Sequence, residues 1–89
     1  MGTPNAYRSA VNAAIAAEVR ALLARHRKSQ ADVVRHLGIK PNAASLRWQG
    51  KTPWRIAELL FLCDWLEVDA AELLATAKAE AIEQTAAPR

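Results

Sequence analysis

Between Lys40 and Gln49 the chain carries side chains suited to hydrogen bonding at the edges of nucleic-acid bases. Lys40, Asn42, Ser45, Leu46 and Gln49 fall on the outward face of a segment that reads as a short helix. This face is polar, with few charges and one apolar residue, whereas a helix exposed only to water usually carries more Glu and Lys. An Asn or Gln amide pairs bidentately with adenine, a Ser hydroxyl bonds to any base, and a Leu touches a thymine methyl. Around them, Lys40, Arg47, Lys51 and Arg55, with Arg35 and Lys28, are cations of the kind that neutralise phosphates. Such contacts supply affinity that falls with salt and carries no sequence information. Structural alternatives stand beside these roles: Asn42 as a helix cap, Gln49 as a solvated helix end, and Leu46 in a protein contact. Trp48, Trp54 and Trp65 read as core or interface residues rather than as base-stacking ones.

Helices must position that face. Helix 1 is expected to begin between Asn5 and Ala10 and to run to His26 or Arg27, with Val11, Ile15, Val19, Leu22, Leu23 and His26 as its buried stripe. Ser29 is a good N-cap for helix 2, Asp32 adds an acid in its first turn, and Val33, Val34 and Leu37 form its inward side. Gly38 closes helix 2, because a left-handed residue costs Gly nothing. Helix 3 starts near Pro41 and reaches Trp48 or Gln49, with Ala44 and Trp48 inward and Ala43 at the margin. Two helices joined by such a turn form a helix-turn-helix, whose second helix enters the DNA major groove. After Gly50 and Lys51, Thr52 and Pro53 read as the N-cap and first residue of helix 4, with Ile56, Ala57, Leu59, Leu60, Cys63 and Leu66 as its apolar face. Asp69 caps helix 5, Glu72 follows in a capping-box-like pattern, and Leu73, Leu74, Ala77, Ala81 and Ile82 share one side. That side pairs with its twin or folds back on helix 1.

The composition is that of an ordinary globular domain, 52% hydrophobic and 24% charged. Its 89 residues predict one all-α domain spanning 1–89, with its core over about residues 10–75, a C-terminal helix to about residue 84 and a frayed tail. Cys63, the only cysteine, excludes an intramolecular disulfide and reads as a buried thiol. No signal peptide and no membrane span are apparent, so a cytoplasmic location is expected. The net charge of +3 hides a division. Residues 1–55 hold ten Lys or Arg against two acids, giving +8, and residues 56–89 hold seven acids against two bases, giving −5. Such asymmetry suggests one face built for a polyanion. There is no Gly-rich phosphate loop, no Ser–His–Asp set and no partner near His26 at metal-ligand spacing. An enzyme is not expected, nor a cofactor, a metal or a small-molecule substrate.

Ser29, Gln30, Val33, the run Leu37, Gly38 and Ile39, then Ser45, Gly50, Lys51, Thr52, Pro53, Trp54, Glu58 and Leu59 share a particular order and spacing. It resembles that of the Cro/phage-repressor (XRE) helix-turn-helix family, and SLRWQGKTPW looks especially like its actinobacterial and actinophage branch. The resemblance covers roughly residues 13–74. It implies a compact, lambda-repressor-like five-helix bundle and a transcription regulator of double-stranded DNA. A repressor of phage or bacterial origin, often a homodimer on paired half-sites, is the expected type. It further implies phosphate contacts from Gln30 and from the region of Lys51, Thr52 and Arg55, and base reading from helix 3. Ala44 stands where the family has a larger aliphatic residue, and Leu46 where an Arg is common. Two further readings compete: an antitoxin that represses its own operon while its acidic second half holds a toxin, and a protein-interaction module.

Overall fold

The computed structural model describes residues 4–86. They form five helices and no strand: α1 Pro4–Arg25, α2 Gln30–Leu37, α3 Pro41–Trp48, α4 Ile56–Trp65 and α5 Ala70–Thr85. The expected all-α fold is present. The tail expected after residue 84 falls partly outside the described residues, since α5 ends at Thr85 and residues 87–89 are not among them.

Local chemistry sets most of the boundaries. The Ser29 hydroxyl accepts from the Asp32 N–H at 3.2 Å, and the Asp32 carboxylate accepts from the Ser29 N–H at 2.7 Å, a complete capping box. Gly38, at φ +67°, ends α2 and its N–H reaches the Val34 carbonyl at 2.9 Å. Pro41 opens α3, where a missing N–H costs nothing. Asp69 accepts from the Ala71 N–H at 2.9 Å to start α5. α1 and α4 close on a left-handed residue that is not glycine. Arg27 and Glu67 adopt left-handed φ angles of 57° and 56°, and the next residues, Lys28 and Val68, donate back to Leu23 and Cys63 in Schellman closures.

Four expectations are corrected. Helix 1 starts at Pro4, one residue before the expected window, and His26 lies exposed in the turn after it rather than on the buried stripe. Helix 4 starts at Ile56, not at Thr52 and Pro53, which belong to the preceding loop. On α4 the buried residues are Leu59, Leu62 and Cys63, whereas Ile56 (69% exposed), Phe61 (58%) and Leu60 (48%) face outward, as does Ala57. This helix is apolar nearly all round, so sequence periodicity did not select the side that packs.

The main core joins Val19, Leu22 and Leu23 of α1, Val33 of α2, the loop residue Trp54, and Leu59, Leu62, Cys63 and Leu66 of the α4 region. A second cluster, Ala10 and Ala14 against Ala77 and Ala81, seats α5 on α1. Within the chain α5 thus folds back on helix 1, small side chain against small side chain. His36 of α2 stacks on Trp65 of α4 at 4.3 Å between ring centroids, and the Lys28 ammonium sits 5.1 Å from the Trp65 ring. α3 rests on α2 and α1, leaving its far side open.

Candidate nucleic-acid interface

The inner side of α3 carries Ala44, fully buried, Arg47, 8% exposed, and Trp48, half-buried against the main core. Asn42, Ser45, Leu46 and Gln49 recur at i, i+3, i+4 and i+7, so they form one row on the opposite side. Asn42 and Gln49 are exposed, while Ser45 and Leu46 are half-buried. Asn42 is the second residue of α3 rather than its cap, since Lys40 holds the N-cap position with an extended backbone. The Gln49 amide donates to the Ser45 hydroxyl at 2.9 Å. This bond orders the two side chains along one edge and leaves the Gln49 carbonyl and its second amide proton available.

The exposed cations flank this row. Lys40 precedes α3, and Lys51 and Arg55 stand in the loop that follows, with Thr52 half-buried between them. The Lys51 and Thr52 N–H groups both donate to the Leu46 carbonyl, at 2.9 and 3.2 Å, and Gly50 at φ +80° makes the turn. A side chain at Gly50 would meet Ala16 of α1 at 3.4 Å, so the loop passes close to α1. On α2, Gln30 is half-buried at the first helical position. Arg35 is exposed but ion-paired with Asp32. The Ser29 N–H hydrogen bond, helped by the Ser29 hydroxyl and the Arg35 and Lys28 charges, holds the Asp32 carboxyl below the ordinary carboxylate range.

Arg47 is a correction. Expected among the phosphate contacts, it lies in the interior with its charge already matched. Its Nε donates to Oε1 of Glu58 at 2.8 Å, and its Nη1 donates to the Ala43 carbonyl at 3.2 Å. An arginine so engaged has little charge left for a phosphate.

A model of the Cro/C1-type helix-turn-helix DNA-binding domain matches residues 18–78, more than half of the chain. The match spans α2, α3 and the loop after them completely. The chain belongs to the Cro/C1-type helix-turn-helix DNA-binding family. No curated protein and no solved structure matches it. Membership makes this a DNA-binding domain of the transcription-regulator class.

In this Cro/C1-type domain the sequence-expected residues gather around α3: Lys40, Asn42, Ser45, Leu46 and Gln49 on or beside its open face, and Lys51, Thr52 and Arg55 in the loop after it. Gln30 and Arg35 stand apart on α2, and Arg47 is removed to the interior. Two residues were missed. Glu58 binds Arg47 and also accepts the Arg55 N–H at 2.9 Å. Arg20 of α1 donates from Nη1 to the Trp48 carbonyl at 2.6 Å, satisfying an orphan acceptor at the C-terminal end of α3. A signal for Glu58 existed, an acid three residues after the position that caps α4. For Arg20 there was none, because its partner is a backbone atom 28 residues away. Among the described residues no group of His, Cys, Asp and Glu is arranged to hold a metal ion, and no helix is long and apolar enough to cross a membrane.

Proposed function

We propose that the chain is a sequence-specific regulator of double-stranded DNA, of the repressor type and of phage or bacterial origin, acting in the bacterial cytoplasm. The observation that carries this reading is the row of uncharged side chains, polar but for Leu46, on the open face of α3, flanked by exposed cations. Asn42 and Gln49 read adenine through their amides, Ser45 adds a bond whose partner is set by position, and Leu46 packs on a thymine methyl. Lys40 serves both layers, at the edge of the base-reading row and near the backbone. Lys51, Thr52 and Arg55, with Gln30 and Arg35 from α2, bind phosphates and fix the docking. The +8 charge of residues 1–55 supports this division of labour.

Paired half-sites call for two copies. Ala77 and Ala81, on the side of helix 5 that the sequence offers for pairing, are occupied by α1. Exposed Ile56, Leu60 and Phe61 on α4 support that helix as the self-association surface instead.

Asn42→Ala and Lys51→Ala test the two layers by equilibrium binding to a preferred and a scrambled duplex. Asn42→Ala loses about 1–3 kcal/mol on the preferred duplex only. Lys51→Ala weakens both duplexes alike and lowers the salt slope by about 0.9. Uniform losses from both variants would refute the assignment.

A further inference from the structure

The buried contact between α3 and α4 has a geometry that matters for the interface on the other side of α3. Arg47 and Glu58 have side chains only 10% and 11% exposed, and they lie eleven positions apart in the chain. Between them runs the loop that carries Lys51, Thr52 and Arg55. One carboxylate oxygen, Glu58 Oε1, accepts both the Arg47 Nε–H at 2.8 Å and the Arg55 backbone N–H at 2.9 Å. The far end of the loop is thereby tied to α3 through two charge-assisted bonds. Its near end is tied to α3 as well, since the Lys51 and Thr52 N–H groups converge on the Leu46 carbonyl. Leu46 belongs to the row on the open face and Arg47 is its neighbour on the inner side.

We propose that Arg47 and Glu58 are positioning residues for DNA specificity. The pair fixes the offset between the base-reading row of α3 and the phosphate-binding loop, so that docking on the backbone brings the row into register with base edges. This rests on the reading of α3 and that loop as the DNA interface. A buried ion pair contributes little net stability compared with apolar side chains of similar volume, whereas its bonds are directional and define one arrangement. Phosphate binding tolerates a shift of the loop, because a flexible cation follows a charged oxygen. Bidentate base pairing does not, because both bonds must align at once. Loss of the pair therefore removes discrimination before it removes affinity.

The test is the double variant Arg47→Met/Glu58→Gln, which leaves no uncompensated buried charge and keeps an acceptor for the Arg55 N–H. Dissociation constants are measured for a duplex selected by the wild-type protein and for a scrambled duplex, over a series of salt concentrations. We expect wild-type helix content, scrambled-duplex affinity within about twofold of wild type, an unchanged salt slope, and a selected-to-scrambled ratio reduced at least about tenfold. Should the double variant unfold, Arg47→Lys, which keeps a cation beside Glu58 but loses the Nε–H bond to Oε1, is scored in the same way. An unchanged ratio in a folded variant, or equal losses on both duplexes, would overturn the proposal. A wild-type ratio near one would instead refute the DNA-reading assignment beneath it.

Discussion

Replacing Arg47 by Met separates an interior arginine from a phosphate-binding one. Arg47 is 8% exposed and Glu58 9%, so the substitution leaves a carboxylate buried without its cation. Removing one partner of a buried pair costs about 3–5 kcal/mol. Glu58 retains the Arg55 N–H as a donor, which places the expected loss near the lower end, about 3 kcal/mol. Against a total stability of about 5–15 kcal/mol, that is a large fraction. For a domain of this size each kcal/mol moves Tm by about 4–8 °C, so a fall of roughly 12 °C or more is expected. A surface cation replaced by Met would change stability by only about 0.5 kcal/mol in either direction. The DNA assay gives the complementary reading: a phosphate contact contributes about 0.9 to the slope of log K against log salt. Thermal unfolding by circular dichroism and salt-dependent binding are measured on the same preparation, with binding taken well below the lowered Tm. A large loss of Tm with an unchanged slope supports the interior role. A small loss of Tm with a slope lowered by about 0.9 would refute it and return Arg47 to the backbone contacts.

Acid should open α2 from its N-terminal end. Asp32 sits below its ordinary pKa of 3.8 because the folded state bonds its ionised form, so its contribution is present above that value and is lost as pH falls below it; amide chemical shifts of residues 29–33 through that range report it, and shifts that stay native would contradict the capping account. Burial, with smaller contributions from Asp64 and Asp69, pushes the Cys63 thiol above its ordinary value of 9.0. Its reaction with a disulfide reagent should follow unfolding, and rapid labelling of the native protein would place the thiol elsewhere. Phe61→Glu should hold the protein as a monomer in sedimentation at concentrations where wild type pairs; pairing that survives the change would exclude the α4 face.

Much of the fold was legible because its signals are local. Ser29 with Asp32, Gly38, Pro41 and Asp69 act within a few residues of themselves, and the structure places the expected turns and caps there. The open row of α3 was legible for the same reason, since a helical period separates Asn42, Ser45, Leu46 and Gln49 from Ala44 and Trp48. The period also puts Arg47 on the inner side. Its charge suggests a phosphate contact, but the group that makes its burial tolerable is Glu58 on another helix, which the helical period does not reveal. Thr52 and Pro53 have the chemistry of a helix start, yet both stay in the loop, and the chain begins a helix only where Glu58 reaches the Arg55 N–H. On α4 the run from Ile56 to Cys63 is apolar on every side but for Glu58, so the choice of Leu59, Leu62 and Cys63 for the core was made by tertiary packing. The fold-back of α5 likewise depended on two alanines in α1, far away in sequence.

Selection of bound duplexes from a random DNA library at physiological salt tests the central claim most directly. The account predicts enrichment of a short motif containing adenines at the positions read by Asn42 and Gln49, repeated with inverted symmetry if two copies bind. Loss of preference at one of those positions in Asn42→Ala, with the rest of the motif kept, would tie the row on α3 to the sequence read. A library that emerges from selection without any enriched motif would contradict the claim that this face reads DNA.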